Sequence, residues 1–402
     1  MKASAIFDVT VIGLGLAGGA SAYALAKRGL RVAIVESADQ IAPKASGNLF
    51  GLLTPYLTTR PSILETLYSA GYRFTHKLLN TLNHAAQFSP CGALQLPTTK
   101  RLQELLHSHY PVLGATPVTR VSNQEARAIA GTAIDSSAPG AIHIPDAGFL
   151  SPRGFIEGLL SHHPQHVSIF LNSECATISQ EGNAWRVSMT GGATLLSSSI
   201  VLCCAYQTKE FDLSSWLPLE AVRGQTVCLA PTESSARLKT VISFGGYITP
   251  ALDQQHLLGA HYSHEDLELE PRDTDTESML GLCAKWLPAL ALANSNSSQA
   301  RVCFRTSTVD RLPYIGALPD YNAFKSSASQ FRSGTNLANK ISLESFPGVF
   351  INIGHGSRGL LSCPIAGEII ARLIVKEPLG ELTDIARITD PARLPLRLIQ
   401  HG

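Results

Sequence analysis

The pattern of apolar and polar positions predicts α/β structure at both ends of the chain and a strand-rich middle. Residues 9–12 form a β-branched run, glycines follow at 13, 15 and 18, and an Ala-rich stretch covers 20–28. That order predicts a buried strand, a tight turn and a helix. A second strand is predicted over 30–35, ending at Glu36. Helical spacing recurs over 63–82 and over 152–160, the latter with Ser151 as N-cap. Strand signals appear at 93–96, 141–144, 168–171, 185–189, 199–204, 224–229, 240–248 and 256–259. The α/β character returns with a strand at 349–353, a glycine-rich turn at 354–359 and a helix over 361–375. The polar segments 264–278 and 325–342 read as exposed loops without a chemical role.

The first run, VTVIGLGLAGGASAYALAKRGLRVAIVES, is apolar enough to suggest a membrane anchor or a secretion signal. Asp8 at one end, five glycines within and Lys27-Arg28 inside it argue against a span of about 20 apolar residues. The glycine spacing supports a dinucleotide site instead. Gly15 lets the backbone approach a pyrophosphate, Gly18 lets helix and strand pack closely, and the helix N-terminus carries partial positive charge. Glu36 stands where a carboxylate meets ribose hydroxyls, which disfavours NADP and leaves FAD and NAD open. The loop Ser46-Gly47-Asn48 follows directly and is placed to run beneath a long cofactor. The second glycine-rich turn, near the other chain end, suggests one ligand gripped by both ends.

The 402 residues allow two to three domains, and 45% apolar content is that of an ordinary folded enzyme. With Lys and Arg numbering 32 against 31 Asp and Glu, no global field draws the chain to nucleic acid or an anionic membrane. The eight cysteines form no CxxC pair, so free thiols in a reducing cytoplasm are expected. With the N-terminal run assigned to the fold, no signal peptide is expected. His162, His163, His166, His261 and His264 have no carboxylate or thiol at a convincing ligand spacing, and no metal is expected. The absence of a GxSxG elbow argues against a hydrolase.

Four segments together carry a resemblance: GLGLAG with Glu36, Val222-Arg223-Gly224-Gln225, FRTSTVDRLPYIGALPD from Phe304, and GHGSRGLLSCPIAGEIIARLI. They resemble the D-amino-acid oxidase and glycine oxidase group of FAD enzymes, and the similarity spans nearly the whole chain. SGNLFGLLTPYL, PDAGFLSPRGFI, GGYITP and GSRGL are similar to the FAD-dependent oxidoreductase half of the MnmC family of bifunctional tRNA-modifying proteins. The chain is expected to be a stand-alone oxidoreductase without that family's methyltransferase portion. A separate methyltransferase would then act on its product.

The resemblance implies an α/β (α+β) chain with a Rossmann-like FAD-binding domain and a second, β-sheet-rich substrate domain. The expected division is 1–85, 145–220 and 299–402 against 86–144 and 221–298. The implied reaction is oxidation of the carboxymethylaminomethyl group on the wobble uridine in a tRNA anticodon loop, giving aminomethyluridine and glyoxylate. The alternative is oxidation of a free small amino acid such as glycine, sarcosine or a D-amino acid.

The resemblance makes Arg305 the carboxylate-binding residue and Tyr247 its assistant. FAD is expected to lie against Gly13, Gly15, Gly18, Glu36, Ser46, Gly47, Asn48, Gly354, Gly356, Ser357, Arg358, Gly359 and Leu360. Contact at the last turn is expected through the backbone of residues 356–360, with His355 as no more than a secondary candidate for side-chain catalysis. Related sarcosine oxidases tether flavin through a cysteine in a stretch comparable to that of Cys303. Here Cys303 is read as a buried thiol and the FAD as non-covalent.

Overall fold

The computed structural model describes residues 7–82, 87–108, 118–292, 299–328 and 344–394. Within these the chain divides into two units. One comprises Met1–Pro43, Ile156–Glu220 and Thr306–Gly402, the other Lys44–Phe155 and Ala221–Arg305. Residues 44–85, 145–155 and 299–305 thus group with the second unit.

The first unit is built on a sheet with the strand order Tyr314–Pro319, Ser345–Ile353, Thr194–Leu202, Phe7–Ile12, Val32–Val35, Val167–Phe170. Its central pairs are parallel, with Val11 opposite Val201 on one side and Ile34 on the other. Strands covered on both faces read as unbroken apolar runs, and every residue of Val32–Val35 is at most 1% exposed. Tyr314–Pro319 and the hairpin Cys175–Glu181/Ala184–Met189 join antiparallel.

Helix Leu16–Ala26 is apolar all round because it is covered all round. Its Gly19 faces Ile156, and a Cβ at Gly367 of helix Gly359–Val375 would lie 2.5 Å from the Ala20 carbonyl. The membrane-like composition of the first run is therefore that of a core strand and a core helix. No described helix is long and apolar enough to cross a membrane.

The second unit carries a sheet ordered Gln299–Thr308, Leu219–Leu229, His256–Ser263, Tyr247–Ile248, Val241–Ser243, Ala93–Gln95, Ala141–Ile144, Thr119–Val121. Residues 240–248, expected as one strand, are two strands of a hairpin turned at Phe244, whose N–H donates to Gly246. Helix Asp273–Trp286 covers one face through Met279 and Cys283, packed with Val227, Leu229 and Leu258. Part of that helix falls in the segment 264–278 expected as a loop. Asp273 and Asp275 suit the positive end of a helix, and Asp275 and Thr276 turn inward to polar partners. Ser151 caps helix Pro152–Ser161 as expected, accepting from Gly154 N at 3.1 Å. Of the other polar segment, residues 325–328 lie in helix Tyr321–Ala328, and 329–342 lie outside the described residues.

Candidate functional site

In the first unit, strand Phe7–Ile12 ends at Gly13, whose φ of +99° opens the turn; a Cβ there would lie 2.8 Å from the Cys203 carbonyl oxygen. A Cβ at Gly18 would overlap the carbonyl oxygen of Gly13, so the helix can start this close to its strand only without a side chain. Gly15 is the N-cap of helix Leu16–Ala26 and provides no side-chain cap. Glu36, 6% exposed, accepts from Leu14 N at 2.8 Å, Ala38 N at 3.0 Å and Ser37 Oγ at 3.1 Å. A carboxylate has about four acceptor positions, which leaves one for a hydroxyl.

The C-terminal turn stands beside this one. Gly354 has φ +79°, and helix Gly359–Val375 starts from Arg358, again without a side-chain cap. A Cβ at Gly359 would lie 3.3 Å from Leu16 Cδ1, so the two helices begin side by side and run the same way. Two positive helix ends thus sit together. Within the turn, Gly356 N donates to Thr306 O at 2.9 Å and Arg358 N to His355 O at 3.1 Å. Those two N–H groups are engaged inside the protein. Ser357 is exposed and Leu360 buried. Paired uncapped helix starts, a backbone turn without side chains and a buried carboxylate with a free acceptor position fit a dinucleotide's pyrophosphate and ribose.

In the second unit, Ser46, Gly47 and Asn48 lie half-buried at a single turn, Ala45–Gly47, before strand Gly51–Leu53. The sheet then separates its side chains by parity. On one face Arg223 is fully buried, and its guanidinium reaches Asp275 Oδ2 at 2.5 Å, Glu268 O and Glu270 O at 2.8 Å and Gln225 Oε1 at 3.1 Å. Gln225 completes the network through Arg272 and Thr276. This arginine is fully engaged in holding the segment that follows strand His256–Ser263.

On the other face Arg305 lies over the ring of Tyr262, Cζ 4.3 Å from the centroid. Its Nη1 is buried and has no hydrogen-bond partner among the described residues. A Cβ at Gly224 would lie 2.5 Å from that nitrogen, and a Cβ at Gly259 would lie 2.8 Å from the Tyr247 hydroxyl. Tyr247 is half-buried, and desolvation pushes its phenol well above the usual range despite the opposing charge of Arg305. The phenol therefore stays a donor. Burial also raises the Cys303 thiol, against the pull of Arg301 and Arg305. The expected pair Arg305 and Tyr247 thus shares one unit and one electrostatic neighbourhood. Tyr262 and the spacing role of Gly224 were not foreseen, although Gly224 stands in a quoted motif. Among the described residues no three His, Cys, Asp or Glu side chains converge as a metal site.

The FAD dependent oxidoreductase family model matches residues 8–373. The tRNA 5-methylaminomethyl-2-thiouridine biosynthesis bifunctional protein MnmC of Ectopseudomonas mendocina is 32% identical over 98% of this chain and 60% of its own length. Its namesake from Methylobacillus flagellatus is 33% identical over 96% of this chain and 59% of its own. The chain thus spans about 60% of the length of these relatives. Among solved structures, glycine oxidase from Geobacillus kaustophilus superposes with a TM-score of 0.74 at 21% identity, covering 93% of this chain and 96% of that one. That likeness is one of fold, an α/β architecture with two large sheets.

Proposed function

Because the chain belongs to the FAD dependent oxidoreductase family, we propose that it oxidises the carboxymethylaminomethyl group on the wobble uridine of tRNA, leaving aminomethyluridine and releasing glyoxylate. One observation carries the reading: the part-buried guanidinium of Arg305 rests on an aromatic ring, and no group among the described residues claims its Nη1. A carboxylate from outside the chain is its natural partner. The relatives' naming for tRNA 5-methylaminomethyl-2-thiouridine biosynthesis supports placing that carboxylate on a modified nucleoside.

In this reading Arg305 binds the substrate carboxylate through parallel N–H donors, as a planar guanidinium can and an ammonium cannot. Tyr247, held protonated, donates to the same group. With the carboxylate fixed, the glycine-like methylene is oriented. It loses a hydride as the C–N single bond becomes an iminium, and one water then splits the iminium into glyoxylate and the primary amine in its ammonium form. The amine must be neutral for its lone pair to assist, a form that desolvation favours. When bound, FAD supplies the acceptor for the electron pair.

The residues proposed to hold FAD are Gly13, Gly15 and Gly18, Glu36, the loop Ser46, Gly47 and Asn48, and the turn formed by Gly354, Gly356, Ser357, Arg358, Gly359 and Leu360. The first unit is the proposed FAD-binding domain and the second the proposed substrate domain. The cytoplasm is the proposed location, with a methyltransferase as the enzyme that consumes the product.

The deciding experiment incubates purified protein with tRNA carrying the carboxymethylaminomethyl group and, separately, with free glycine or sarcosine. Nucleosides and glyoxylate are then analysed. Loss of the modified nucleoside with matching glyoxylate supports the tRNA reading. Turnover of the free amino acids alone replaces it with a small-amino-acid oxidase, which the same arginine and tyrosine would serve.

A further inference from the structure

A buried hydrogen-bonded column inside the first unit links the two helices that begin at the glycine turns. Asn352, in strand Ser345–Ile353, donates from Nδ2 to Ser21 Oγ at 3.0 Å and to the Ala17 carbonyl at 3.3 Å, both on helix Leu16–Ala26. With its amide nitrogen so committed, its Oδ1 faces His355 Nε2 at 2.8 Å as an acceptor. The proton of the imidazole therefore sits on Nε2. Nδ1 lies 2.8 Å from Ser362 Oγ on helix Gly359–Val375, a hydroxyl that also reaches the Arg358 carbonyl of the turn at 3.0 Å. Ser21, Asn352 and Ser362 are 0% exposed and His355 8%.

Packing alone does not fix what this column fixes. Gly367 against Ala20 sets how close the helices lie. The turn between strand and second helix, however, has glycines with φ +79° and +55° on either side of His355, and such a segment has several conformations of similar energy. A fully satisfied polar network in a dry interior selects one of them.

We propose that His355 is a positioning residue for the cofactor: through Asn352 and Ser362 it locks the C-terminal glycine turn onto the N-terminal helix, so that both helix starts face one anionic ligand. The inference rests on the family's cofactor and is independent of the substrate, so failure of the tRNA reading would leave it untouched.

The test uses apoprotein freed of flavin and titrated with FAD, followed by flavin fluorescence and by the shape of the flavin absorption band. His355→Leu removes both bonds and is expected to weaken FAD binding about tenfold, the equivalent of roughly 1.4 kcal/mol and in the range of one buried hydrogen bond. His355→Gln can keep the donor to Asn352 and should recover affinity to within about threefold of wild type on the same scale. Ser21→Ala breaks the column at its far end and should weaken FAD severalfold, less than additively with His355→Leu. A purely structural histidine would lower the melting temperature of the apoprotein and leave affinity and flavin spectrum alone. Wild-type affinity and spectrum in His355→Leu and Ser21→Ala overturn the proposal. If His355→Leu does not fold, Ser21→Ala decides by itself.

Discussion

Tyr262 and Arg305 sit on the two strands that flank Gly224, with the tyrosine ring 4.3 Å from the guanidinium carbon. Tyr262 is the cross-strand partner of Gly224, and a Cβ at that glycine would lie 2.5 Å from Arg305 Nη1 and 3.4 Å from the ring. The glycine between Arg223 and Gln225 thus clears room on one sheet face for the Arg305 guanidinium. Its two neighbours turn to the other face, where Arg223 and Gln225 bind Asp275, Arg272 and Thr276.

Removing Arg305 should therefore cost transition-state stabilisation and leave the cofactor in place. Arg305→Ala is expected to lower kcat/KM by about 2–5 kcal/mol equivalent, as for truncating one member of a buried hydrogen-bonded charge pair. Arg305→Lys should recover only part. Tyr262→Leu removes the cation–π contact, roughly 0.5–2 kcal/mol, and should appear mainly in KM. Steady-state kinetics with flavin content measured on each variant checks this, and unchanged turnover in Arg305→Ala removes the residue from the site.

The flavin should leave the protein on denaturation. Burial holds the Cys303 thiol above its ordinary range, which keeps it protonated and a poor nucleophile. Acid or heat precipitation should release all yellow colour into the supernatant, and Cys303→Ser should bind FAD like wild type. Flavin found on the peptide that carries Cys303 would show a covalent link.

Legibility followed the range of the interactions. The strand, turn and helix around Gly13, Gly15 and Gly18 are local, and their glycine spacing and flanking runs announced them. Arg305 and Tyr247 were named only through resemblance, because nothing in FRTST or GGYITP shows that the two strands share a sheet face. The slot made by Gly224 and Tyr262 depends on antiparallel register, and the column from Ser21 to Ser362 on a contact between opposite ends of the chain. Helix Asp273–Trp286 was hidden for a different reason. Its inward positions include Asp275 and Thr276, which are polar because they meet Arg223 and Gln225, so the usual apolar stripe is interrupted.

Acid should loosen the first unit through His355. Burial pushes this histidine down to about 4 from an ordinary 6.5. The unfolded chain then binds the proton first as pH falls, so the contribution is full above about pH 6.5 and is lost progressively toward pH 4, roughly 3 kcal/mol in all. Other histidines, His76, His143 and His256 among them, are also lowered by burial, so the informative quantity is a difference. Denaturant unfolding across this window should show a steeper loss for wild type than for His355→Gln, and parallel curves would refute the assignment.

Binding of tRNA should depend only weakly on salt. The formal net charge is +1, so any attraction to phosphate must come from a local patch. In the proposed reading the wobble base, which lies in a single-stranded loop, is splayed into a site without breaking a duplex, and its glycine-like arm supplies specificity through Arg305. Lys325 is exposed and stands 4.6 Å over the Tyr321 ring, one cation for such a patch. Arg332 and Lys340, further along the same polar segment, lie outside the described residues. About three to five phosphate contacts predict a log–log slope near −2 to −4 for a single strand. Binding of modified and unmodified tRNA to the FAD-loaded protein across a salt series measures it, with Lys325→Ala expected to flatten the slope by somewhat less than one. A slope near −8 would mean an extended duplex interface in place of the loop, and no binding of either tRNA beside rapid turnover of free glycine or sarcosine would transfer the activity to the small amino acids.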